Sequence, residues 1–323
     1  MALGYGLDTA FSTARAPWSG IGTKLEGAVT AEEAIVAAGL DWTVAKKNMY
    51  LKTPNQGFQG IKGRQALVRT DTWDVLGVFS PRYSPLQNIR AFDGISGVME
   101  DYGAVFHSAG SINGGRRVFI YAELPDTLMV GNDELAKGIL LTNSHDGSAA
   151  VAMQLMATRK ICFNTMNGKF QNGGFRVVHT GNLDVRMRTA RDFLGIESRY
   201  FQAIEDGAAD MHAGELSSPG EFLRKLFGIE LDAQEVSTRI QNNMDTVQDL
   251  YYHGIGNRGL TRWDMYNAVT EYVDHHRGPA TGDELVRVDR RLNSAWFGAG
   301  AAMKGKAWEL LTASPSLSIL NSI

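Results

Sequence analysis

The chain has 323 residues, 44% hydrophobic and 21% charged, with a formal net charge of −3; this is a globular composition with ample core material for one large domain or two ordinary ones. A single cysteine excludes an internal disulfide and a four-cysteine zinc site within the chain, and it fits a reducing compartment. The opening residues lack the basic-then-apolar layout of a signal peptide, and no run reaches roughly 18 apolar residues, so a cytoplasmic protein without a membrane span is expected.

Residues 1–29 read as an N-terminal arm. Thr30-Ala31-Glu32-Glu33 is a capping box: the Thr30 hydroxyl accepts from the Glu33 backbone N–H, and the Glu33 side chain reaches back. The helix it opens runs to about Gly39, a residue suited to the position just past a helix end. Leu40, Trp42 and Val44 alternate with polar neighbours, the period-2 pattern of a half-buried strand. Further strands are expected at Met49–Lys52, Gln65–Thr70 and Trp73–Phe79. The proline-rich turn Ser80–Pro85 precedes a helix in which Leu86, Ile89, Phe92, Ile95 and Met99 recur at helical spacing. A hairpin follows, Ala104–Ile112 and Arg116–Leu124, around Asn113-Gly114-Gly115, whose residues tolerate positive φ. Strands near Gly138–Asn143 and Ala149–Leu155 flank a polar knot, Asn143 to Ser148.

Beyond about residue 180 the periodicity turns helical. Expected helices are Leu183–Phe193, a stretch to about Asp210, and one begun by Ser218-Pro219. Another is marked by Val236, Ile240, Val247 and Leu250, one is capped by Thr261, and the last starts near Asp283. Strands come first and helices afterwards, which predicts an α+β fold. An antiparallel β-rich core domain with flanking helices covers 30–178, and a mostly helical C-terminal region covers 179–323.

Charge is unevenly spread. Residues 40–191 carry 18 bases and 12 acids, net +6, whereas 192–260 carry 5 and 12, net −7. Such asymmetry marks either a nucleic-acid-binding region beside an acidic one or ordinary solvated faces. Lys46, Lys47, Lys52, Lys62, Arg64 and Arg69 fall in a span without acids, interleaved with Trp42, Tyr50 and Phe58. Cations neutralise phosphates, and aromatic faces stack on unpaired bases for about 1–3 kcal/mol each, so this is the composition of a single-strand groove. It is equally the composition of a strand edge guarded by lysines against pairing. Arg116 and Arg117 border the hairpin turn, and Arg159, Lys160, Lys169, Arg176, Arg186, Arg188 and Arg191 form a second basic stretch. That stretch serves phosphates or contacts with the acidic region. On the first reading Lys46, Lys47, Lys62, Arg64, Arg116, Arg117, Arg159 and Lys160 contact DNA phosphates, with Trp42 or Tyr50 stacking on bases.

Catalytic constellations are weak. His145-Asp146 beside Ser148 has the residue types of a hydrolase, but they are sequence neighbours among turn formers, and a tight turn is the expected role. Cys162, between Ile161 and Phe163, reads as a core residue. Glu271 and His275 share a helical face but lack the further ligands of a metal site. No GxxxxGK[ST] loop occurs, which argues against a P-loop ATPase. No enzymatic activity, metal or cofactor is expected.

The segments GLDTAFSTARAPWSGIGT (6–23), AGLDWTV (38–44), ILLTNSHDGSAAV (139–151), RKICFNT (159–165), HTGNL (179–183) and TRWDMYNAVTEYVDHHRG (261–278) together resemble the phage/plasmid-like proteins. That family, of unassigned function, is found on phages and conjugative plasmids. The resemblance covers most of the chain and implies a bacterial host cell. In architecture, a helix, antiparallel strands with a hairpin and another helix are similar to the core of phage single-strand annealing proteins of the Red-beta and Erf type. This second resemblance implies ATP-independent binding and annealing of single-stranded DNA in a recombination or replication module. It also implies a homo-oligomeric ring or filament, and a phage exonuclease or host single-strand-binding protein as a partner. The alternative is a phage structural or host-defence-interacting oligomer that uses the same strands without DNA.

Overall fold

The computed structural model describes residues 9–12, 23–24, 30–55, 57–162, 164–166, 175–177, 197–278 and 284–312. In chain order the first elements are β1 (Thr9–Ser12), β2 (Thr23–Lys24), α1 (Ala31–Ala37), β3 (Val44–Thr53), β4 (Gly57–Arg69), β5 (Val75–Phe79) and α2 (Asn88–Tyr102). Then come β6 (Val105–Ile112), β7 (Arg117–Val130), β8 (Asp133–Ser144), β9 (Val151–Arg159), β10 (Thr165–Met166) and β11 (Phe175–Val177). The helical part holds α3 (Glu197–Ala213), α4 (Pro219–Phe227), α5 (Thr238–His253) and α6 (Arg262–Glu271). It closes with a π-helical turn (Tyr272–His276), α7 (Glu284–Phe297) and α8 (Ala299–Leu311). The fold is α+β, with antiparallel sheets followed by helices, as the order of periodicities implies.

The large sheet is a meander of four long antiparallel strands, β6 to β9. β1 lies antiparallel to β6 at one edge and β2 runs parallel to β1, while β10 and β11 both pair with β9 at the other edge. Residues 113–115 turn β6 into β7 with three successive positive φ values: Asn113 60°, Gly114 69° and Gly115 81°. Gly115 is also short of space, since a Cβ there would lie 3.1 Å from both Trp42 and Arg69. Val118 to Ala122 are all buried, so the middle of β7 is covered on both faces. Part of the cover comes from the C-terminal helices: Phe119 packs edge-on against Trp296 of α7, and the Tyr200 hydroxyl of α3 donates to the Leu155 carbonyl of β9 at 2.9 Å. Buried side chains from α1 through α8 belong to one contiguous hydrophobic cluster.

Local rules placed most boundaries. The Thr30–Glu33 capping box is present, and Thr261 with Asp264 forms a second one at the start of α6. Leu40, Trp42 and Val44 are buried in alternation as expected, yet the strand begins only at Val44. The expected last helix is two, α7 and α8, broken at Gly298 (φ −119°, ψ −148°). The expected helix Leu183–Phe193 lies outside the described residues. Among the described residues no helix is long and apolar enough to cross a membrane.

A polar hub ties α8 to the sheet edge. Lys304, wholly buried, donates to Asp274 Oδ1 at 2.5 Å, to Thr165 Oγ1 at 2.7 Å and to the Thr165 carbonyl at 2.9 Å. Asp274 Oδ2 accepts from the Thr165 N–H at 2.7 Å. Asp274 sits in the π-helical turn, a distortion that often marks a place where a helix is re-aimed.

His107 gives the fold a pH dependence. Burial pushes its imidazole down to about 4. Glu123 Oε1 lies 3.9 Å away, but burial also pushes that carboxyl up, so both groups favour their neutral forms over an ion pair. In the unfolded chain the ring titrates near 6.5, so between 6.5 and about 4 the unfolded state binds a proton that the fold excludes. The contribution of neutral His107 is complete above 6.5 and is lost as pH falls towards 4. The stability gap between the wild type and a His107→Gln variant should therefore change by roughly 3 kcal/mol from pH 7 to pH 4 in urea titrations, with the wild type losing more.

Candidate nucleic-acid interface

β3, β4 and β5 form a separate three-stranded antiparallel sheet. Its base packs on the Arg117/Ser144 end of the large sheet, where Phe79 abuts Gly147 and Gly77 lies against the Asp146 backbone. Beyond the Asn48–Gln65 pair, β3 and β4 leave this base and continue as a two-stranded arm with both faces in solvent. The Thr53–Gly57 pair closes its tip, with Gly57 at φ +73° and the Thr53 hydroxyl donating to the Gly57 carbonyl at 3.1 Å. A bulge interrupts the arm, because Met49 alone stands opposite Ile61 to Arg64, with Gly63 at φ +74°. The extra residues re-aim Lys62 and Arg64 away from the regular alternation.

Cross-strand pairing assembles the arm's chemistry. Tyr50 pairs with Gly60 and Lys52 with Phe58, so Tyr50, Lys52 and Phe58 share one face. The Tyr50 ring lies across Gly60, where an added Cβ would meet it at an ordinary 3.7 Å. Phe58 is 73% exposed and Tyr50 61%. Lys52, Lys62 and Arg64 are exposed and form no ion pair among the described residues. At the base of the arm Lys47 Nζ stands 5.1 Å over the Trp73 ring. Trp73 is 62% exposed and held at φ +62°, a conformation that costs a bulky residue free energy and points to a use.

Of the residues expected at a DNA surface, the structure brings Lys47, Tyr50, Lys62 and Arg64 together on the arm. Lys46 begins the same strand, but its ammonium donates to the Pro81 and Tyr83 carbonyls and fastens the proline-rich turn. Trp42 is a correction: it is 7% exposed beneath the Arg69 guanidinium, 4.3 Å away, and has no face to offer a base. Arg159 is a second correction. It is fully buried, bonded to Asp133 at 2.7 Å and to the carbonyls of Ile255 and Gly256, so it braces a loop and cannot reach a phosphate. Arg117 bonds Asn293 and Ser148 and lies over Phe297, joining β7 to α7. Arg116 stays half-buried at the hairpin turn, near the base of the arm. Lys160 pairs with Glu134 at 2.8 Å. It follows Arg159, which pairs with Leu135, nine residues along β8 from Ser144; that places it roughly 30 Å from the arm's base. Arg186, Arg188 and Arg191 lie outside the described residues.

Lys52 and Phe58, which the acid-free span places two residues from Tyr50 and four from Lys62, join these two residues on the arm. Trp73 carries no signal in the sequence, because its positive φ and its approach to Lys47 arise only when β3 and β4 pair.

The other constellations resolve into structure. Asp146 accepts from the Ser144 and Ser148 hydroxyls and from the Ser148 N–H at 2.8 Å, forming the expected tight turn. Burial raises its carboxyl, but these hydrogen bonds and Arg117 outweigh it and leave the pKa lowered. The buried His145 ring is directed instead to Asn88 Oδ1, 3.0 Å away. Cys162 is buried, and burial pushes its thiol up to about 11, so it holds no thiolate at neutral pH. His275 Nε2 lies 3.2 Å from the Cys162 carbonyl. Among the described residues no cluster of three or more His, Cys, Asp or Glu could hold a metal ion.

These features define an α+β protein with a basic, aromatic β-arm. The chain belongs to the family described as a domain of unknown function, DUF932, whose model matches residues 75–296. The matched segment runs from β5 through β6–β11 of the large sheet to most of α7, and β1, β2, α1, β3 and β4 precede it. No curated protein matches the chain. No solved structure matches it either.

Proposed function

We propose that the chain binds single-stranded DNA along the β3–β4 arm and promotes annealing of complementary strands without ATP. The setting would be the cytoplasm of a bacterial cell, in the recombination or replication module of a phage, as the resemblances drawn from the sequence imply. The observation that carries this reading is the arm itself. It is open on both faces, carries cations without a single acid from 42 to 70, and presents Tyr50 and Phe58 on one side. Cations along the arm hold the sugar–phosphate chain, and rings stack on successive bases whatever their identity. Annealing has no chemical step; it needs strands held extended with their pairing edges free.

The competing reading is an oligomer without DNA, favoured by the engagement of Lys46, Arg117, Arg159 and Lys160 in internal bonds. An annealing assay with two complementary dye-labelled oligonucleotides at low salt, without nucleotide, separates them. Wild-type protein should accelerate duplex formation, and Tyr50→Ala with Phe58→Ala should weaken single-strand binding by about 2–6 kcal/mol, given about 1–3 kcal/mol per stacked base. No acceleration and no binding at low salt would favour the competing reading.

A further inference from the structure

A second apolar surface lies at the opposite end of the large sheet from the arm. Ile161, Tyr252, Ile255 and Leu260 are 56%, 45%, 51% and 62% exposed. They adjoin one another: Ile161 Cδ1 packs beside Gly256, and the Tyr252 ring lies so close to Gly259 that a Cβ there would overlap it. The loop that carries them is fixed in place, because Arg159 donates to the Ile255 and Gly256 carbonyls and Glu271 accepts from the Ile255 N–H. Large apolar side chains held on a rigid loop mark an interaction surface. The charges around it are mixed in sign. His253 Nδ1 lies 2.9 Å from Asp249 Oδ1 on α5, Arg258 sits in the loop, and Glu215 bridges to Thr261. Charge therefore selects no occupant here, and apolar character does.

The end of α8 delivers the chain to this surface. The Leu311 carbonyl accepts from Arg262 Nη1 at 2.6 Å, and Arg262 stands two residues after Leu260. The same guanidinium donates to the Asp210 carbonyl and carboxylate at the end of α3. The Leu216 N–H donates to the Leu260 carbonyl at 3.2 Å, and the Arg262 N–H to the Gly214 carbonyl at 2.9 Å. The ends of α3 and α8 and the Leu260 side of the patch are thus fastened into one corner. At Thr312 the backbone leaves the helix for an extended conformation (φ −85°, ψ 132°), while the Thr312 hydroxyl donates to the Trp308 carbonyl at 2.8 Å.

Beyond Thr312 the sequence continues with ASPSLSILNSI, residues 313–323. None of these residues is charged, and Leu317, Ile319, Leu320 and Ile323 are large and apolar. Fully extended, such a segment reaches at most about 36–40 Å, whereas residues 255–260 can span at most about 20–22 Å, so its length is ample to lie along the loop. We propose that residues 313–323 fold back on the Ile161–Leu260 patch of their own chain, with Leu317, Ile319 and Leu320 making the apolar contact. The segment is an intramolecular cover for the patch. It joins the corner where α3, α6 and α8 meet to the Arg159 end of the sheet, and it does not rest on the DNA reading.

The test is photo-crosslinking of the full chain, without DNA, with p-benzoylphenylalanine in place of Ser318. That position lies between two apolar residues of the segment and leaves both in place. After irradiation the main crosslinked product should keep the mass of one chain on a denaturing gel. Peptide mass spectrometry should place the new bond on Ile161 or within 252–261. Adding Ile255→Asp with Leu260→Asp should lower the yield of that bond at least about tenfold, because a charge replaces the apolar surface whose burial holds the segment. If the aspartate variant melts early, serine at the same two positions replaces it. A crosslinked product of doubled mass would make a second copy the occupant and overturn the proposal. So would bonds confined to other parts of the chain, the absence of any bond, or a patch bond that persists undiminished in the folded variant.

Discussion

Replacing Lys304 by methionine should destabilise the protein by about 3–5 kcal/mol, the range for removing one partner of a buried ion pair. Lys304 is completely buried and Asp274 is 3% exposed, so the Asp274 carboxylate would lose its charge partner where water cannot replace it. Burial pushes the Lys304 ammonium down, and only Asp274 opposes that push. The loss is not local. The same ammonium holds the Thr165 carbonyl and hydroxyl, which belong to β10, so the variant also frees a strand at the sheet edge. In a chain of this size the change should lower Tm by roughly 4–8 °C. Adding Asp274→Leu should recover part of the loss by removing the orphaned charge. Recovery stays partial, because the Thr165 N–H keeps no acceptor once Asp274 is gone. A Lys304→Met variant as stable as the wild type would mean that the hub contributes nothing to folding.

Reversing the arm's charge should act in the opposite way, on affinity and not on stability. Lys52, Lys62 and Arg64 are exposed and form no ion pair among the described residues, so glutamate at all three positions should change stability by only about 0.5 kcal/mol each. Single-stranded DNA would meet three repulsive charges in place of three attractive ones. Binding should weaken by at least about a hundredfold near 50 mM salt, since the phosphate contacts supply most of the affinity of a sequence-independent binder. Fluorescence anisotropy with a labelled oligonucleotide measures the loss, and thermal melting of the same sample confirms that the arm variant is folded. Unchanged affinity would remove the arm from the interface.

Local chemistry was readable in the sequence wherever a few neighbouring residues decide the outcome. Thr30 and Glu33, the Asn113-Gly114-Gly115 turn and the Ser218-Pro219 helix start all appear where residue type alone places them. The Asn143–Ser148 knot is a turn because Asp146 bonds the hydroxyls on either side of it. What composition could not rank was the use of each cation. Arg159 and Arg64 are equivalent in a charge count, yet one is buried against Asp133 and the other is in water. That difference depends on Asp133 and residues 255–257, the latter about a hundred positions away, brought together by packing. Trp42 and Trp73 show the same reversal. The tryptophan in the acid-free span is covered by Arg69, whereas the one beyond it stands exposed beside Lys47. The length of the arm was also hidden, because Gly57, Gly60 and Gly63 interrupt the β-branched and aromatic pattern that signals a strand.

The most direct measurement is the salt dependence of single-strand binding for wild type and the Lys52/Lys62/Arg64→Glu variant together. If Lys47, Lys52, Lys62 and Arg64 each neutralise one phosphate, log affinity of the wild type should fall against log salt with a slope near −2.8. The variant, with only Lys47 remaining, should bind weakly with a slope near −0.7. Equal slopes for the two proteins, or tight wild-type binding that ignores salt, would contradict an electrostatic single-strand interface on the arm.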